Sequence, residues 1–281
     1  MNESHLTIGP LMKAARKFKK FNQSDVAEAI GCSQSALSKM EHNLLTPSAP
    51  QWFLFSRFTS IPPETLELGI IDRQTEVRLN NESVSVGFKL PKRYRVNKSQ
   101  KVREVYPLLH ALQRMYPEDY RLFLETVHID EEFYLDFDNL VSFQIIIDLI
   151  NLFIKLEVKT EAQIREVIQI GQNGLYWDKF NGSWSEPIEV LYQFAKTQLA
   201  FQVDFIIRVE MINEKILVSY LPQVHVYHFL KDLNLETQKW LNYYRKLTLE
   251  SLVYNVLGKR REARLLPDLS KSPLESHFEI Q

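Results

Sequence analysis

The sequence predicts an all-α N-terminal domain built on a helix-turn-helix, followed by a larger α+β domain that carries a small antiparallel sheet. Three observations lead there. Residues 22–43, NQSDVAEAIGCSQSALSKMEHN, have the spacing of two short helices around a tight turn. Phe205–Met211 and Lys215–Leu221 are strand-like runs separated by Asn213-Glu214, a two-residue hairpin signal. Helical stripes fill the intervening chain, and 281 residues, 45% of them hydrophobic, suffice for two separate cores.

The N-terminal elements follow in order. Leu11–Phe21 places Leu11, Met12, Ala15 and Phe18 on one helical stripe and Lys13, Lys17 and Lys20 on the other. Asn22 is suited to cap a second helix, whose inner face is Val26, Ala27 and Ile30. Gly31 ends it, because glycine accepts the left-handed backbone that turns the chain. Ser33 caps a third helix with Ala36, Leu37 and Met40 inward, leaving Gln34, Ser35, Ser38 and Lys39 facing out. Short polar side chains at such an N-terminal turn are what base reading needs, since Gln pairs with adenine edges and Lys with guanine or phosphate. The first sixty residues hold seven Lys and Arg against four Asp and Glu, although the whole chain is near neutral at −1. That local excess is what a small nucleic-acid-binding module requires.

Asn22-Gln23, Ala27, Gly31, Ser33-Gln34, Leu37 and Glu41 together resemble the helix-turn-helix of the lambda-repressor/Cro-like (XRE) family, over residues 8–70. The resemblance implies a five-helix domain, with helices four and five at Pro50–Thr59 and Pro63–Leu68, closed by Trp52, Phe55, Phe58 and Leu66. It further implies that Gln23 bonds a backbone phosphate, that Gln34 and Ser35 read bases, and that Ser38 or Lys39 extends the footprint on double-stranded DNA. Arg16 and Glu41 stand where the family has a structural ion pair. Ser33 and Asn43 complete the DNA-facing set; the family usually has glycine at the latter position, and Asn tolerates the same left-handed backbone. Cys32, the only cysteine, reads either as a redox sensor or as an inert half-buried thiol.

Residues 1–72 are thus expected to form the reading head, 73–100 a basic linker with one alternating segment at Val84–Leu90, and 101–281 the second domain. The cluster from Lys89 to Arg103 is either a solvated surface or a strip along the DNA backbone. In the latter case Lys92, Arg93 and Arg95, with Lys13 and Lys17 of the first helix, touch phosphate. Beyond it, helices are expected at Val102–Met115, Pro117–Val127, Leu140–Leu156, Thr160–Ile170 and from Pro187 to about Phe201. Asp130–Asp138 is an acidic break, Gly171–Ser185 a loop, Leu235–Leu257 a long amphipathic helix stopped by Gly258, and SHFEIQ a final strand.

The second domain shows no catalytic constellation, and with eight glycines in the chain there is no phosphate-cradling motif. No catalytic residue, metal or resident cofactor is therefore expected, and the chain reads as a non-enzyme. His225 and His228 lack the partners of a metal site. The acidic residues at 130–138 read as a loop before a helix in preference to a cation site. The order of helices, hairpin, long helix and terminal strand resembles the small-ligand sensing domains of the vinyl-reductase-like and haem-nitric-oxide-binding-like group, without that group's C-terminal cysteines. Such a domain implies a small-molecule effector, in a pocket of aromatics such as Tyr176, Trp177, Trp184, Tyr192 and Phe194. Homodimerisation is expected from the limited surface a single head buries on DNA; Trp240, Tyr244, Leu247, Leu252 and Val256 of the long helix read either as its interface or as one side of an internal core helix. The longest apolar stretch is broken by Gln144, Asp148, Asn151 and Lys155, so no membrane span is expected. The cytoplasm, in association with the nucleoid, is the expected location. The competing reading is a protein-interaction adaptor that keeps the helix-turn-helix fold without binding DNA.

Overall fold

A computed structural model describes residues 8–59, 61, 90–95, 98–137, 139–172, 184–198, 204–223, 226, 229, 233–270, 272 and 274–281. Its element order is helix-rich at the N-terminus and mixed afterwards. Helices α1 (Ile8–Phe18), α2 (Gln23–Ala29), α3 (Gln34–Glu41) and α4 (Ala49–Thr59) come first. The expected fifth helix, Pro63–Leu68, and nearly all of the segment Val84–Leu90 lie outside the described residues. Then follow α5 (Lys92–Arg95), β1 (Lys98–Lys101), α6 (Val102–Met115), α7 (Pro117–Val127), α8 (Glu131–Tyr134), β2 (Leu140–Ser142), α9 (Gln144–Lys155), α10 (Glu161–Gln172) and α11 (Pro187–Gln198). The chain closes with β3 (Phe205–Ile212), β4 (Lys215–Pro222), α12 (Leu235–Leu257), β5 (Ala263–Leu265) and β6 (Ser276–Ile280).

The chain divides into two compact units that are not contiguous in sequence. The first takes in Met1–Lys92, Lys101–Arg103 and Phe123–Leu140; the second takes in Arg93–Gln100, Glu104–Leu122 and Val141–Gln281. The first unit therefore recruits a segment that the sequence reading assigned wholly to the C-terminal domain. Its core joins Leu11, Met12, Ala15, Val26, Ala27, Ile30, Leu37, Met40, Trp52 and Phe55, with Leu135 of the recruited segment packed against them. Phe58 does not close this core; it is 37% exposed and its ring lies on Phe21, 4.6 Å between centroids.

The second unit is organised around an antiparallel sheet of order β3-β4-β6-β5. The β3–β4 turn, Asn213-Glu214, has φ of 49° and 65°, the left-handed pair that a tight hairpin needs. Phe205, Ile207 and Val209 of β3 stand opposite Pro222, Tyr220 and Val218 of β4, and Phe278 of β6 faces Val218, which makes one buried face. Arg245 of α12 is buried between the rings of Phe205 and Tyr220, at 4.3 and 4.8 Å, and donates to Leu274 O and Ser276 Oγ at 2.9 and 2.8 Å. Burial lowers its pKa to about 10. Trp240 stacks on Phe153 of α9 and donates its indole N–H to Val158 O at 3.0 Å.

Several expectations are corrected. Leu140–Leu156 is not one helix: Leu140–Ser142 is a strand, and the helix begins at Gln144. The basic linker holds the short helix α5 and strand β1, and the acidic break holds the helical turn α8. Of the two readings of Trp240, Leu247 and Leu252, dimer interface or internal core, the burial of all three within the second unit favours the core, because α12 is covered on more than one side. No helix among the described residues is long and apolar enough to cross a membrane.

Candidate nucleic-acid interface

The helix-turn-helix is fixed by local chemistry at each joint. The Asn22 side chain accepts from Asp25 N at 2.9 Å while Asp25 Oδ2 accepts from Asn22 N at 3.2 Å, a reciprocal cap that satisfies free backbone donors. Gly31 sits at φ 68°, so a side chain there would carry left-handed strain of roughly 1–2 kcal/mol. Ser33 Oγ accepts from Ala36 N at 3.1 Å and starts α3. Leu37 and Met40 are then buried, which turns Ser33, Gln34, Ser35 and Lys39 to solvent, with Ser38 half-buried. Ala36 is only half-buried.

Glu41 is the hub beneath this face. Only 2% exposed, it accepts from Arg16 Nε and Nη2 at 2.6 and 2.8 Å and from Gln23 Nε2 at 2.9 Å. Arg16 also donates to Phe21 O at 3.1 Å. One carboxylate thereby ties α1, the start of α2 and the end of α3 together through charge-assisted bonds. Gln23, expected on a phosphate, is held here by Glu41. Asn43 adopts φ 56°, and its Oδ1 accepts from Gly9 N at 2.9 Å, so its side chain clasps the start of α1. A Cβ on Gly9 would come within 2.3 Å of Met40 O.

The outlying cations have intramolecular partners. Lys13 pairs with Glu132, and Lys17 with Asp130 at 3.1 Å, both carboxylates belonging to the segment recruited into the same unit. Arg93 makes a two-pronged pair with Asp148 at 3.1 and 2.7 Å, and Tyr94 Oη donates to the same carboxylate at 2.7 Å. Lys92 and Arg95 are exposed. Asp130 and Glu132 were missed as partners because they lie 113 and 119 residues from their lysines, beyond any local pattern.

The remaining sequence candidates do not converge. Tyr176, Trp177, His225 and His228 lie outside the described residues, Tyr192 is 52% exposed and Phe194 is buried. Burial and the neighbouring Arg114 hold the His110 imidazole below its ordinary pKa, and His128 is exposed at φ 50°. Among the described residues no group of three or more His, Cys, Asp or Glu is placed to hold a metal ion.

Residues 12–66 match the family model described as Helix-turn-helix. The N-terminal segment is thus an XRE-type, lambda-repressor-like helix-turn-helix, the fold that DNA-binding regulators carry. No curated protein and no solved structure matches the chain.

Proposed function

We propose that the protein is a sequence-specific DNA-binding transcriptional regulator whose α3 reads bases through Gln34 and Ser35, with Ser38 and Lys39 extending the contact. The observation that carries this is the exposed polar turn at the start of α3, mounted on a head whose joints are fixed by Asn22, Ser33 and Glu41. Gln23 is prepositioned by Glu41, which takes one hydrogen of its amide nitrogen and leaves the other to a phosphate, with the backbone N–H groups at the start of α2 beside it as further donors. Two copies acting on a symmetric site, and an effector-sensing or dimerising role for the second unit, belong to the same proposal.

The test is selection of a random duplex library by the full-length protein near physiological salt, beside Gln34→Ala. An enriched motif whose preference relaxes in the variant supports base reading, at a cost of about 1–3 kcal/mol at the contacted position. Retention that falls with salt and selects no motif would sink it. A second reading, a protein-binding adaptor, draws on the apolar side chains the head exposes, Leu44 at 76%, Phe53 at 59% and Leu54 at 44%. An inert Gln34→Ala variant, together with capture that depends on Phe53, would favour it.

A further inference from the structure

β5 ends the sheet, and its outer edge is open. Leu266 N donates to His277 O at 2.8 Å and Gln281 N to Glu262 O at 2.9 Å, so residues 262, 264 and 266 turn their backbone groups toward β6. Alternation then directs the N–H and C=O of Ala263 and Leu265 the other way. The Ala263 N–H is capped by Glu250 Oε1 at 3.0 Å. The Leu265 N–H and C=O and the Ala263 C=O have no hydrogen-bond partner among the described residues. The same residues line an open groove of about 670 Å3, bounded by the strand segment Glu262–Leu265, by Gln281 just past β6 and by one stripe of α12, from Leu235 to Lys246.

We infer that this groove is a docking site for an extended acidic peptide segment of a partner protein, added to the sheet as a strand beside β5. Length supports it: the twelve residues Leu235–Lys246 of the helix span roughly 16 Å from first to last, the length of about five extended residues. Main-chain chemistry supports it, since a strand laid along the edge gives Leu265 a reciprocal pair of bonds and Ala263 one more. Charge selects the partner. Lys239 on the helix wall and Arg264 on the strand are both exposed, Lys259, Arg260 and Arg261 lead into β5, and Glu262 is the one acidic side chain lining the groove. Lys246 is already matched by Glu161 at 2.9 Å; Arg264 stands opposite Glu279, whose carboxylate Lys215 holds at 3.0 Å, and Lys239 lies over the Tyr243 ring at 5.9 Å, which leaves both cations without a salt bridge of their own among the described residues. An alternating peptide sends one set of side chains to the face of Leu265, Tyr243 and Lys239, for which valine is suited, and the other to the face of Arg264, for which glutamate is suited.

The experiment is fluorescence anisotropy of labelled, end-capped Val-Glu-Val-Glu-Val titrated with the full chain. Its comparisons are the same peptide with its central amide N-methylated, a Val-Lys-Val-Lys-Val peptide, and the variants Arg264→Glu and Lys239→Glu checked for native circular dichroism. Saturable binding is expected, weakened at least tenfold by N-methylation and by either charge reversal, and absent for the lysine peptide. Equal binding of the N-methylated peptide would reduce the contact to non-specific charge attraction and overturn strand addition. No binding, with a concentration-dependent dimer that Arg264→Glu dissociates, would assign the edge to a second copy of the chain and overturn the partner peptide. No binding and no such dimer would overturn the site altogether.

Discussion

Glu41 carries more of the head's geometry than any residue that faces solvent in α3. Removing one member of a buried, multiply bonded ion pair leaves the other uncompensated, so Glu41→Ala is expected to cost about 3 kcal/mol in the stability of the first unit. Amide hydrogen exchange on α2 and α3 reads this directly, and unchanged protection would show the pair to be ornamental. Cys32 makes an opposite, quieter prediction. Desolvation holds its thiol above its ordinary pKa, so the reactive thiolate is scarcer in the folded chain than in a peptide at the same pH. A raised folded pKa stabilises the fold below the unfolded value of about 8.5 and loses that contribution as pH climbs through the folded value. Alkylation by iodoacetamide at pH 8 should therefore run slower in native than in unfolded protein; faster labelling of the native form would restore the redox-sensor reading. At this scale the extremes of α3 were legible, because helical period alone sorts Leu37 and Met40 from Gln34 and Ser35, while Ala36 and Ser38 fall between the two sides, both half-buried. The intramolecular bonds of Gln23 and Asn43 were not, because each depends on a partner, Glu41 or Gly9, that only the tertiary fold brings within reach.

At the level of elements, the contact of α8 with α1 alters what the basic first helix can do. Lys13 and Lys17 are held by Glu132 and Asp130 of the acidic turn, so their charge is partly neutralised before any nucleic acid arrives. The double variant Asp130→Asn, Glu132→Gln releases both. For DNA binding as proposed, each lysine that then reaches a phosphate steepens the dependence of log affinity on log salt by about 0.9, so a change of up to about 1.8 is expected. Filter-binding across a salt series measures it, and an unchanged slope would mean that α1 faces away from DNA. Long elements were the legible ones: α12 runs over Leu235–Leu257 and stops at Gly258, and β3 and β4 flank the turn read from Asn213-Glu214. The short strands β1 and β5, of four and three residues, carry no period of their own and exist because a partner strand pairs with them.

Across the whole molecule, the decisive feature is that the unit holding the helix-turn-helix is not a contiguous piece of chain. Phe123–Leu140 belongs to its compact unit, adding Leu135 to the apolar core and two carboxylates to α1, while residues 93–100 and 104–122 of the other unit intervene in sequence. No window-based reading of residues 1–72 can recover such an arrangement, since a helix-turn-helix of that length satisfies every local rule for an independent domain. The two cases separate on truncation. A fragment of residues 1–92 loses the packing of Leu135 and both ion pairs, together worth about 2 kcal/mol when one half-buried leucine is counted with two partly screened pairs. Amides of α2 and α3 should accordingly exchange faster in the fragment than in the intact chain, and Trp52, its sole tryptophan, reports the shift of the urea midpoint to lower concentration. Equal protection in fragment and intact chain would make residues 123–140 a passenger on an autonomous head. Lower protection would mean that any event acting on the acidic segment acts also on the stability of the helix-turn-helix without touching α3.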